Sequence, residues 1–342
     1  MDKTDLNTWL STKQNYFCLK TPSSPTVTIY GLGDSPSNDL NQPAVLVCPF
    51  ESKSPSYWPI MHQWVISIEQ VKKLELASPK TTLPPTTTNT SSGEYQEAVS
   101  NALQEIAHSS VEKVVLAQIN TQPYNNLSIS QAYYKACSLT DSFAYALKIN
   151  QEHWLGASPE LFLRSDYKTC ETVALAGTRL TSETNVHWGD KEMQEQSVVA
   201  RFIAGTFENM GLTEVTIGKQ FTKSFGHIQH ICNPVTANIP NDLDWTELMS
   251  SLHPTPALAG FPKHQALNFI KKTESFSRNL YGGFLGVMDA NQIELFVNIR
   301  CAQLFNNGAL LYAGAGINAD SIPTKEWEET QNKLEVMKAI LG

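Results

Sequence analysis

Tyr312-Ala-Gly-Ala-Gly-Ile317 and the helical segment that follows it constrain the fold of this chain most strongly. The segment carries Glu326, Glu329 and Lys333, and side chains three or four positions apart lie on one face of a helix. An adjoining, more apolar stripe predicts how the helix packs and consists of Trp327, Thr330, Leu334, Met337 and Leu341. The charged row is therefore expected beside the buried stripe and not opposite it.

This row of charges has two interpretations. Glu-to-Lys pairs at helical spacing are common on solvated helix faces. Alternatively, the carboxylates are ligands of Mg²⁺, which usually takes one or two protein carboxylates together with water and an anionic substrate. A second helix with carboxylates on one face would favour the metal site.

Composition and charge exclude several classes of protein. The chain has 342 residues, of which 41% are hydrophobic, so a sizeable core is expected. Its net charge of −8 and its lack of any Lys/Arg cluster argue against nucleic acid or a membrane as a partner. The sequence shows neither a signal-peptide pattern nor an apolar run long enough to span a bilayer, so we expect a cytoplasmic protein. Six scattered cysteines predict reduced, mostly buried thiols.

Strand-like and helix-like segments alternate irregularly along the chain. Strands are predicted at 113–117, 143–149, 153–164, 171–176 and 227–236, with β-rich sequence at 281–316. A long helix is predicted with Asp190 as its N-cap, and Glu192 and Glu195 lie on its first turns. Because the steady βαβ rhythm of a parallel sheet is missing, the pattern predicts an α+β fold with large, mostly antiparallel sheets.

Several short segments, taken together and in order, resemble the chorismate-utilising enzymes over roughly residues 95–342. They are Glu112-Lys-Val-Val-Leu-Ala117, Gly156-Ala-Ser-Pro-Glu160, Ala176-Gly-Thr-Arg179, His253-Pro-Thr-Pro-Ala-Leu-Ala-Gly-Phe-Pro262, Tyr281-Gly-Gly283, Ile299-Arg300 and the run from Tyr312 to Thr330. The resemblance implies an α+β fold with a large, mostly antiparallel β-sandwich-like core wrapped by helices. It also implies a single domain over residues 1–342, with the Pro/Thr/Ser/Asn-rich residues 78–93 as a flexible surface loop.

The segment from His253 to Gly260 resembles the isochorismate synthase branch of the family. This resemblance implies an isomerase that converts chorismate to isochorismate with Mg²⁺, adding water at C2 and expelling the C4 hydroxyl. The alternatives are a salicylate synthase, which also eliminates pyruvate and is similar but has a threonine in place of Leu258, an amine-transferring synthase and a non-catalytic chorismate-binding relative. Ala257 and Leu258 are apolar, which leaves room for water and little to bind ammonia.

Lys113 and Glu160 match the catalytic base and the general acid of the family. Water is a poor nucleophile and hydroxide is a poor leaving group, so the reaction needs a base and an acid on either side of the ring. A carboxyl group donates a proton near neutral pH only if its pKa is raised, as in a partly desolvated cleft.

Glu195 and Glu329 match the Mg²⁺ ligands of the family, with Glu192 and Glu326 expected as outer partners through metal-bound water. The helix that begins near Asp190 is thus the second carboxylate helix that the metal interpretation requires.

The remaining residues are expected to bind chorismate. Arg300 offers a planar fork for a carboxylate, Lys333 lies one turn beyond Glu329, and Tyr312 and the Gly314 amide bind the same end of the substrate. By resemblance, Thr178, His230, Ala257 and Leu258 line the same pocket.

Two positions depart from the family pattern. Gln118 stands where an arginine usually ends the lysine strand, and Gln196 stands where a histidine usually follows the metal glutamate. Both changes remove a possible positive charge without removing a proposed base, acid or metal ligand. We expect a monomer with chorismate as its small-molecule partner and without a glutamine amidotransferase. The product could feed menaquinone, siderophore or salicylate synthesis.

Overall fold

The computed structural model describes residues 6–11, 14–37, 39, 42–181, 188–225 and 228–342. The helices in these residues are α1 (Leu6–Ser11), α2 (Ile68–Val71), α3 (Ser92–His108), α4 (Ile129–Cys137), α5 (Asp190–Asn209), α6 (Trp245–Leu252), α7 (Lys263–Thr273) and α8 (Pro323–Leu341). The strands are β1 (Tyr16–Lys20), β2 (Thr26–Leu32), β3 (Ala44–Cys48), β4 (Ser56–Ser67), β5 (Lys113–Pro123), β6 (Phe143–Ile149), β7 (Glu152–Ser158), β8 (Leu161–Ser165), β9 (Thr169–Leu180), β10 (Thr213–Ile217), β11 (Phe221–Phe225), β12 (Ile228–Asn238), β13 (Gly260–Phe261), β14 (Phe284–Met288), β15 (Ile293–Val297), β16 (Cys301–Phe305) and β17 (Gly308–Ile317).

These strands pair antiparallel in two sheets that share β4. The first sheet runs in the order β13, β5, β17, β16, β7, β6, β1, β2, β4. The second sheet runs β4, β3, β14, β15, β8, β9, β12, and both β10 and β11 pair with β12. Neighbours in space are often distant in sequence, which is the α+β arrangement that the irregular alternation predicted.

The two sheets pack face to face around an aromatic core. Phe143 of β6 stacks on Phe296 of β15 with ring centroids 4.2 Å apart, and so joins the first sheet to the second. The opposite face of the first sheet is covered by α4 and α8, where Tyr133, Leu334 and Met337 are buried. The predicted β-sandwich-like core wrapped by helices is therefore confirmed.

Local sequence explains where the elements begin and end. The predicted strand at 153–164 is two strands, because Pro159 cannot donate a ladder hydrogen bond and the chain turns there between β7 and β8. The prediction of Asp190 as an N-cap is wrong by one residue, since Gly189 caps α5 and Asp190 is its first residue. An acidic residue is also favourable there, because the N-terminus of a helix attracts negative charge.

Residues 78–91 form neither helix nor strand, and α3 begins at Ser92, so the loop predicted at 78–93 ends two residues earlier than expected. Ser91 and Glu94 form a reciprocal cap, in which each side chain accepts a hydrogen bond from the other's backbone N–H, at 3.2 and 2.8 Å. All six cysteines are buried and unpaired, as their spacing predicted. Among the helices described above, none is both long and apolar enough to cross a membrane.

Candidate active site

One pocket brings together most of the residues that the sequence singled out. Its walls come from β5, the turn after β7, β9, β12, the segment before β13, the approach to β16, β17 and α8. The predicted residues that line it are Lys113, Glu160, His230, Ala257, Leu258, Arg300, Gly314, Glu326, Glu329 and Lys333. Further lining residues are Val115, Leu175, Gly177, Tyr281, Ile299 and Gly316.

Three predicted residues have side chains outside the described part of the chain. The backbone of Thr178 lies in β9, and those of Glu192 and Glu195 lie in the first turns of α5. Helix α5 packs on β9 and β12, the strands that supply Leu175 and His230 to the pocket. The roles predicted for these three residues stay predictions.

Glu160 lies in the turn between β7 and β8 and is buried. Burial raises the pKa of its carboxyl group to about 7, although the positive charges of Arg300, Lys223, Lys113 and Lys333 oppose the rise. A carboxyl group with this pKa is about half protonated at pH 7 and largely protonated below it. Glu160 can therefore donate a proton, as its predicted role requires.

Lys113 begins β5, and its backbone fixes the segment that ends at Gly260. Strand β13 pairs with β5 so that Gly260 faces Val114 and Phe261 faces Lys113. Gly260 has φ +120°, and a Cβ atom there would lie 2.1 Å from the Lys113 carbonyl oxygen. Only glycine fits this close approach, which holds the segment ending at Gly260 against β5.

A buried ion pair behind the pocket connects the same two segments. Arg278 donates to the carbonyl oxygens of Leu258 at 3.0 Å and Val115 at 2.7 Å. Its partner Glu274 accepts from Arg278 Nε at 2.8 Å and from the Ala117 N–H at 2.8 Å. This pair was not predicted from the sequence, because Glu274 and Arg278 lie in the irregular segment after α7, where residue spacing does not indicate which side chains meet.

Helix α8 places its charged row against the pocket. Glu326 is only 5% exposed and its neighbours on the stripe, Thr330 and Leu334, are buried. Lys333 Nζ donates to Glu329 Oε1 at 2.6 Å and to the Gly314 carbonyl oxygen at 2.7 Å. The interpretation as a solvated face is therefore wrong, because the row borders a cavity and fastens α8 to β17.

Arg300 and Tyr281 form another part of the pocket wall. Arg300 is buried with φ +51°, and its Nε has no hydrogen-bond partner among the described residues. Burial lowers the pKa of its guanidinium group, while the acidic groups of Tyr281, Glu329 and Glu160 oppose that change. A buried cation with an unused donor is suited to an anionic ligand.

Tyr281 borders the cavity at the place where Tyr312 was expected. The Tyr281 hydroxyl lies 2.9 Å from the position that a Cβ atom on Gly314 would take. Tyr312 stacks on Tyr281 with ring centroids 5.4 Å apart and is not one of the lining residues. Tyr281 belongs to the Tyr281-Gly-Gly283 segment that resembles the family, but the sequence predicted no place for it in the site.

His230 is a neutral imidazole in this pocket. Burial, and next the charge of Arg300, lower its pKa to about 3. Its Nδ1 lies 2.8 Å from the Gly177 carbonyl oxygen, so Nδ1 carries the proton and donates to that oxygen. The Nε2 atom of this tautomer is an acceptor.

Neither glutamine that departs from the family pattern lines the pocket. Gln118 is fully buried and its amide Nε2 donates to the Thr330 hydroxyl, so it joins β5 to α8. Gln196 is buried on α5 directly after Glu195. A neutral amide at position 118 suits this contact, since an arginine there would place a charge against a buried hydroxyl.

Two carboxylates of the pocket have the donor atoms that a hard divalent cation takes. Glu326 and Glu329 supply oxygen donors from successive turns of α8, and Mg²⁺ prefers oxygen ligands. Within the described residues no group of three or more His, Cys, Asp or Glu could bind a metal. The two further carboxylates predicted for this site, Glu192 and Glu195, have side chains outside that part.

Comparison with known proteins bears on the family and the fold. A family model described as chorismate binding enzyme matches residues 46–342. Isochorismate synthase 2, chloroplastic, of Arabidopsis thaliana is 31% identical over 261 residues, which are 71% of this chain and 46% of that protein. Anthranilate synthase component 1 of Saccharolobus solfataricus is 28% identical over 262 residues, or 72% of this chain and 62% of that protein. The chain spans about half the length of such curated relatives.

The fold also matches a solved structure along its whole length. The menaquinone-specific isochorismate synthase MenF of Escherichia coli superposes with a TM-score of 0.83 and covers 100% of this chain and 92% of that one. At 21% identity this likeness establishes the fold alone.

Proposed function

The chain belongs to the family of chorismate-binding enzymes, and we propose that it is a Mg²⁺-dependent isochorismate synthase that works as a monomer without an amidotransferase. The family match over residues 46–342 confirms the family predicted from the sequence. The isochorismate synthases among its relatives support the proposed branch. Anthranilate synthases have similar identities, so the branch has to be argued from the pocket.

The observation that carries this proposal is the set of residues around the acid and the base. Lys113 and Glu160 line one pocket, and Ala257 and Leu258 contribute apolar side chains to the same lining. These two side chains offer no hydrogen bond that could orient ammonia. An acid and a base beside an apolar wall are suited to activating water and protonating a leaving hydroxyl group.

The proposed reaction replaces the C4 hydroxyl of chorismate by a hydroxyl at C2. Lys113 accepts a proton from water while the water oxygen bonds to C2. Glu160 gives its proton to the C4 oxygen, which leaves as water while the ring double bonds shift. One water is consumed and one is released, so the net reaction is an isomerisation.

The substrate has two carboxylates, and the pocket has counter-charges for them. Arg300 and Lys333 are cations in its walls, and each can donate hydrogen bonds to a carboxylate. Glu329 and Glu195, with Glu192 and Glu326 as outer partners, are the residues that would bind Mg²⁺. A bound Mg²⁺ would offset the charge of the ring carboxylate and of the glutamates themselves.

Product analysis tests this proposal. Purified protein is incubated with chorismate and Mg²⁺, with and without ammonium, and the products are separated by liquid chromatography. We expect isochorismate in both cases and no release of pyruvate. Pyruvate formed in step with chorismate loss would indicate a salicylate synthase, and an ammonium-dependent product would indicate an amine-transferring enzyme.

Two substitutions test the proposed base and acid. Lys113→Ala and Glu160→Gln should each lower kcat at least about 100-fold, because each removes one proton-transfer group. Glu97→Gln, an exposed carboxylate on α3, is the matched control and should keep wild-type activity. Tight binding of chorismate without turnover by the wild-type protein would instead indicate a non-catalytic relative.

A further inference from the structure

Lys223 contacts the turn that carries Glu160. No role for this lysine was predicted from the sequence. It lies in the middle of β11 and faces His230 across the β11–β12 pair. Its Nζ atom donates a hydrogen bond of 2.7 Å to the Pro159 carbonyl oxygen. Pro159 directly precedes Glu160, so this ammonium group touches the peptide unit of the proposed acid.

The Pro159–Glu160 peptide group is hydrogen-bonded at both its carbonyl oxygen and its N–H. The Pro159 carbonyl and the Glu160 N–H belong to the same planar peptide group. Lys223 donates to the oxygen of this group. The Glu160 N–H of the same group donates to the Ser158 hydroxyl at 3.4 Å. The Glu160 carbonyl oxygen in turn accepts from the Val297 N–H at 3.0 Å. Lys223 is therefore the side-chain donor that orients the peptide plane from which Glu160 projects.

The environment of Lys223 makes this contact costly to lose. The lysine is partly buried, and this burial lowers the pKa of its ammonium group. The titratable and charged groups around it are His230 on the paired strand and, beyond it, Cys232, Asp141, Glu160 and Arg164, of which Arg164 repels the ammonium. A half-buried cation needs hydrogen-bond acceptors and negative charge, and the Pro159 carbonyl and the Glu160 carboxyl group supply both.

Lys223 also contributes to the positive field at Glu160. Four cations act on the Glu160 carboxyl group and lower its pKa against the effect of burial, namely Arg300, Lys223, Lys113 and Lys333. The other three line the pocket, whereas Lys223 lies behind the turn and outside the set of lining residues. It is thus the one of these four cations that can be replaced without removing part of the pocket wall.

We propose that Lys223 is a positioning residue, which fixes the Pro159–Glu160 peptide by a hydrogen bond and supplies positive charge behind the Glu160 carboxyl group. This inference rests on the proposed function, in which Glu160 is the proton donor. Lys223 acts through Glu160 and not on the substrate. Its loss should therefore change proton transfer more than chorismate binding.

The test compares Lys223→Met, Lys223→Arg and the control Lys219→Met, which changes an exposed lysine in the loop before β11. Lys223→Met should lower kcat about tenfold or more, because a small displacement of a catalytic group is costly, and should change KM for chorismate less than about twofold. The alkaline limb of its kcat–pH profile should move to higher pH, since Glu160 then keeps its proton longer. Arginine keeps the charge and a donor, so Lys223→Arg should recover most of kcat and the original profile, and Lys219→Met should match wild type.

A second readout does not depend on turnover. In protein labelled with ¹³C at the glutamate carboxyl groups, the Glu160 resonance is assigned as the one absent from Glu160→Gln, and its titration is followed by NMR. Lys223→Met should raise its midpoint relative to wild type, and Lys223→Arg should not. An unchanged midpoint together with an unchanged kcat–pH profile in folded Lys223→Met would overturn the proposal. Failure of the wild-type protein to form isochorismate would contradict the proposed function, while the NMR comparison would still test the influence of Lys223 on Glu160.

Discussion

Glu160→Gln should lose catalytic activity and yet stabilise the folded protein at alkaline pH. Burial raises the pKa of the Glu160 carboxyl group from 4.5 to about 7. Because the pKa of the folded state lies above that of the unfolded state, this group contributes most to stability below the unfolded value. That contribution is lost as the pH rises through about 7, where the buried carboxyl group ionises. Glutamine has a similar shape and does not ionise, so the variant escapes this loss.

The size of the effect follows from the difference between the two pKa values. A tenfold change in a proton dissociation constant corresponds to about 1.4 kcal/mol, so 4.5 and about 7 differ by about 3 kcal/mol in free energy. This figure is the upper limit of the gain expected for Glu160→Gln above neutral pH. At about pH 5 the wild-type carboxyl group is also protonated, and the two proteins should differ little.

The assay is urea denaturation followed by tryptophan fluorescence, at about pH 5 and about pH 8.5, with EDTA and without substrate. Glu160→Gln should gain stability over wild type only at the higher pH, whereas the exposed Glu97→Gln control should match wild type at both. Higher stability with lost activity is typical of residues retained for function. Equal or lower stability of Glu160→Gln at the higher pH would refute the argument that burial raises the pKa of Glu160 and makes its ionised form costly.

Three further substitutions test other parts of the site. Gly260→Ala should lower the free energy of unfolding by more than about 2 kcal/mol and abolish activity, since its Cβ would lie 2.1 Å from the Lys113 carbonyl oxygen. Thermal unfolding measures this loss, and equal stability would contradict the close approach. Gly93→Ala is the matched control, because nothing lies within 4 Å of its Cβ position in α3, and it should be neutral or stabilising. Arg300→Lys should raise KM for chorismate about tenfold in steady-state kinetics, because lysine lacks the planar fork; an unchanged KM would exclude a carboxylate contact. Glu329→Gln should raise the Mg²⁺ concentration for half-maximal activity at least about tenfold in a titration after EDTA treatment, and an unchanged Mg²⁺ requirement would remove it from the metal site.

Features that depend on local periodicity were predictable from the sequence. The row of Glu326, Glu329 and Lys333 follows from helical spacing, and its adjoining stripe is buried apart from the half-buried Trp327. Strand β6 occupies the predicted residues 143–149 because its pattern is short and strongly apolar.

Features that depend on contacts between distant segments were not predictable in this way. Tyr281 takes the place expected for Tyr312 because it occupies the space above Gly314, and a sequence does not show which of two tyrosines is nearer a cavity. Lys223 of β11 reaches the carbonyl of Pro159, which lies 64 residues earlier in the chain, in the turn between β7 and β8. Arg278 likewise reaches Leu258 and Val115 only in the folded chain. A resemblance to a family located the pocket, but the supporting contacts required the tertiary structure.

The most direct test of the proposed function is turnover of chorismate with Mg²⁺ in water enriched in ¹⁸O. Addition of water at C2 with loss of the C4 hydroxyl predicts isochorismate that carries one ¹⁸O atom, located at C2 by mass spectrometry and NMR. Product lacking ¹⁸O at C2, or no isochorismate from a folded, metal-supplied protein, would contradict the assignment of Lys113 and Glu160 as the base and acid of a water-adding isomerase.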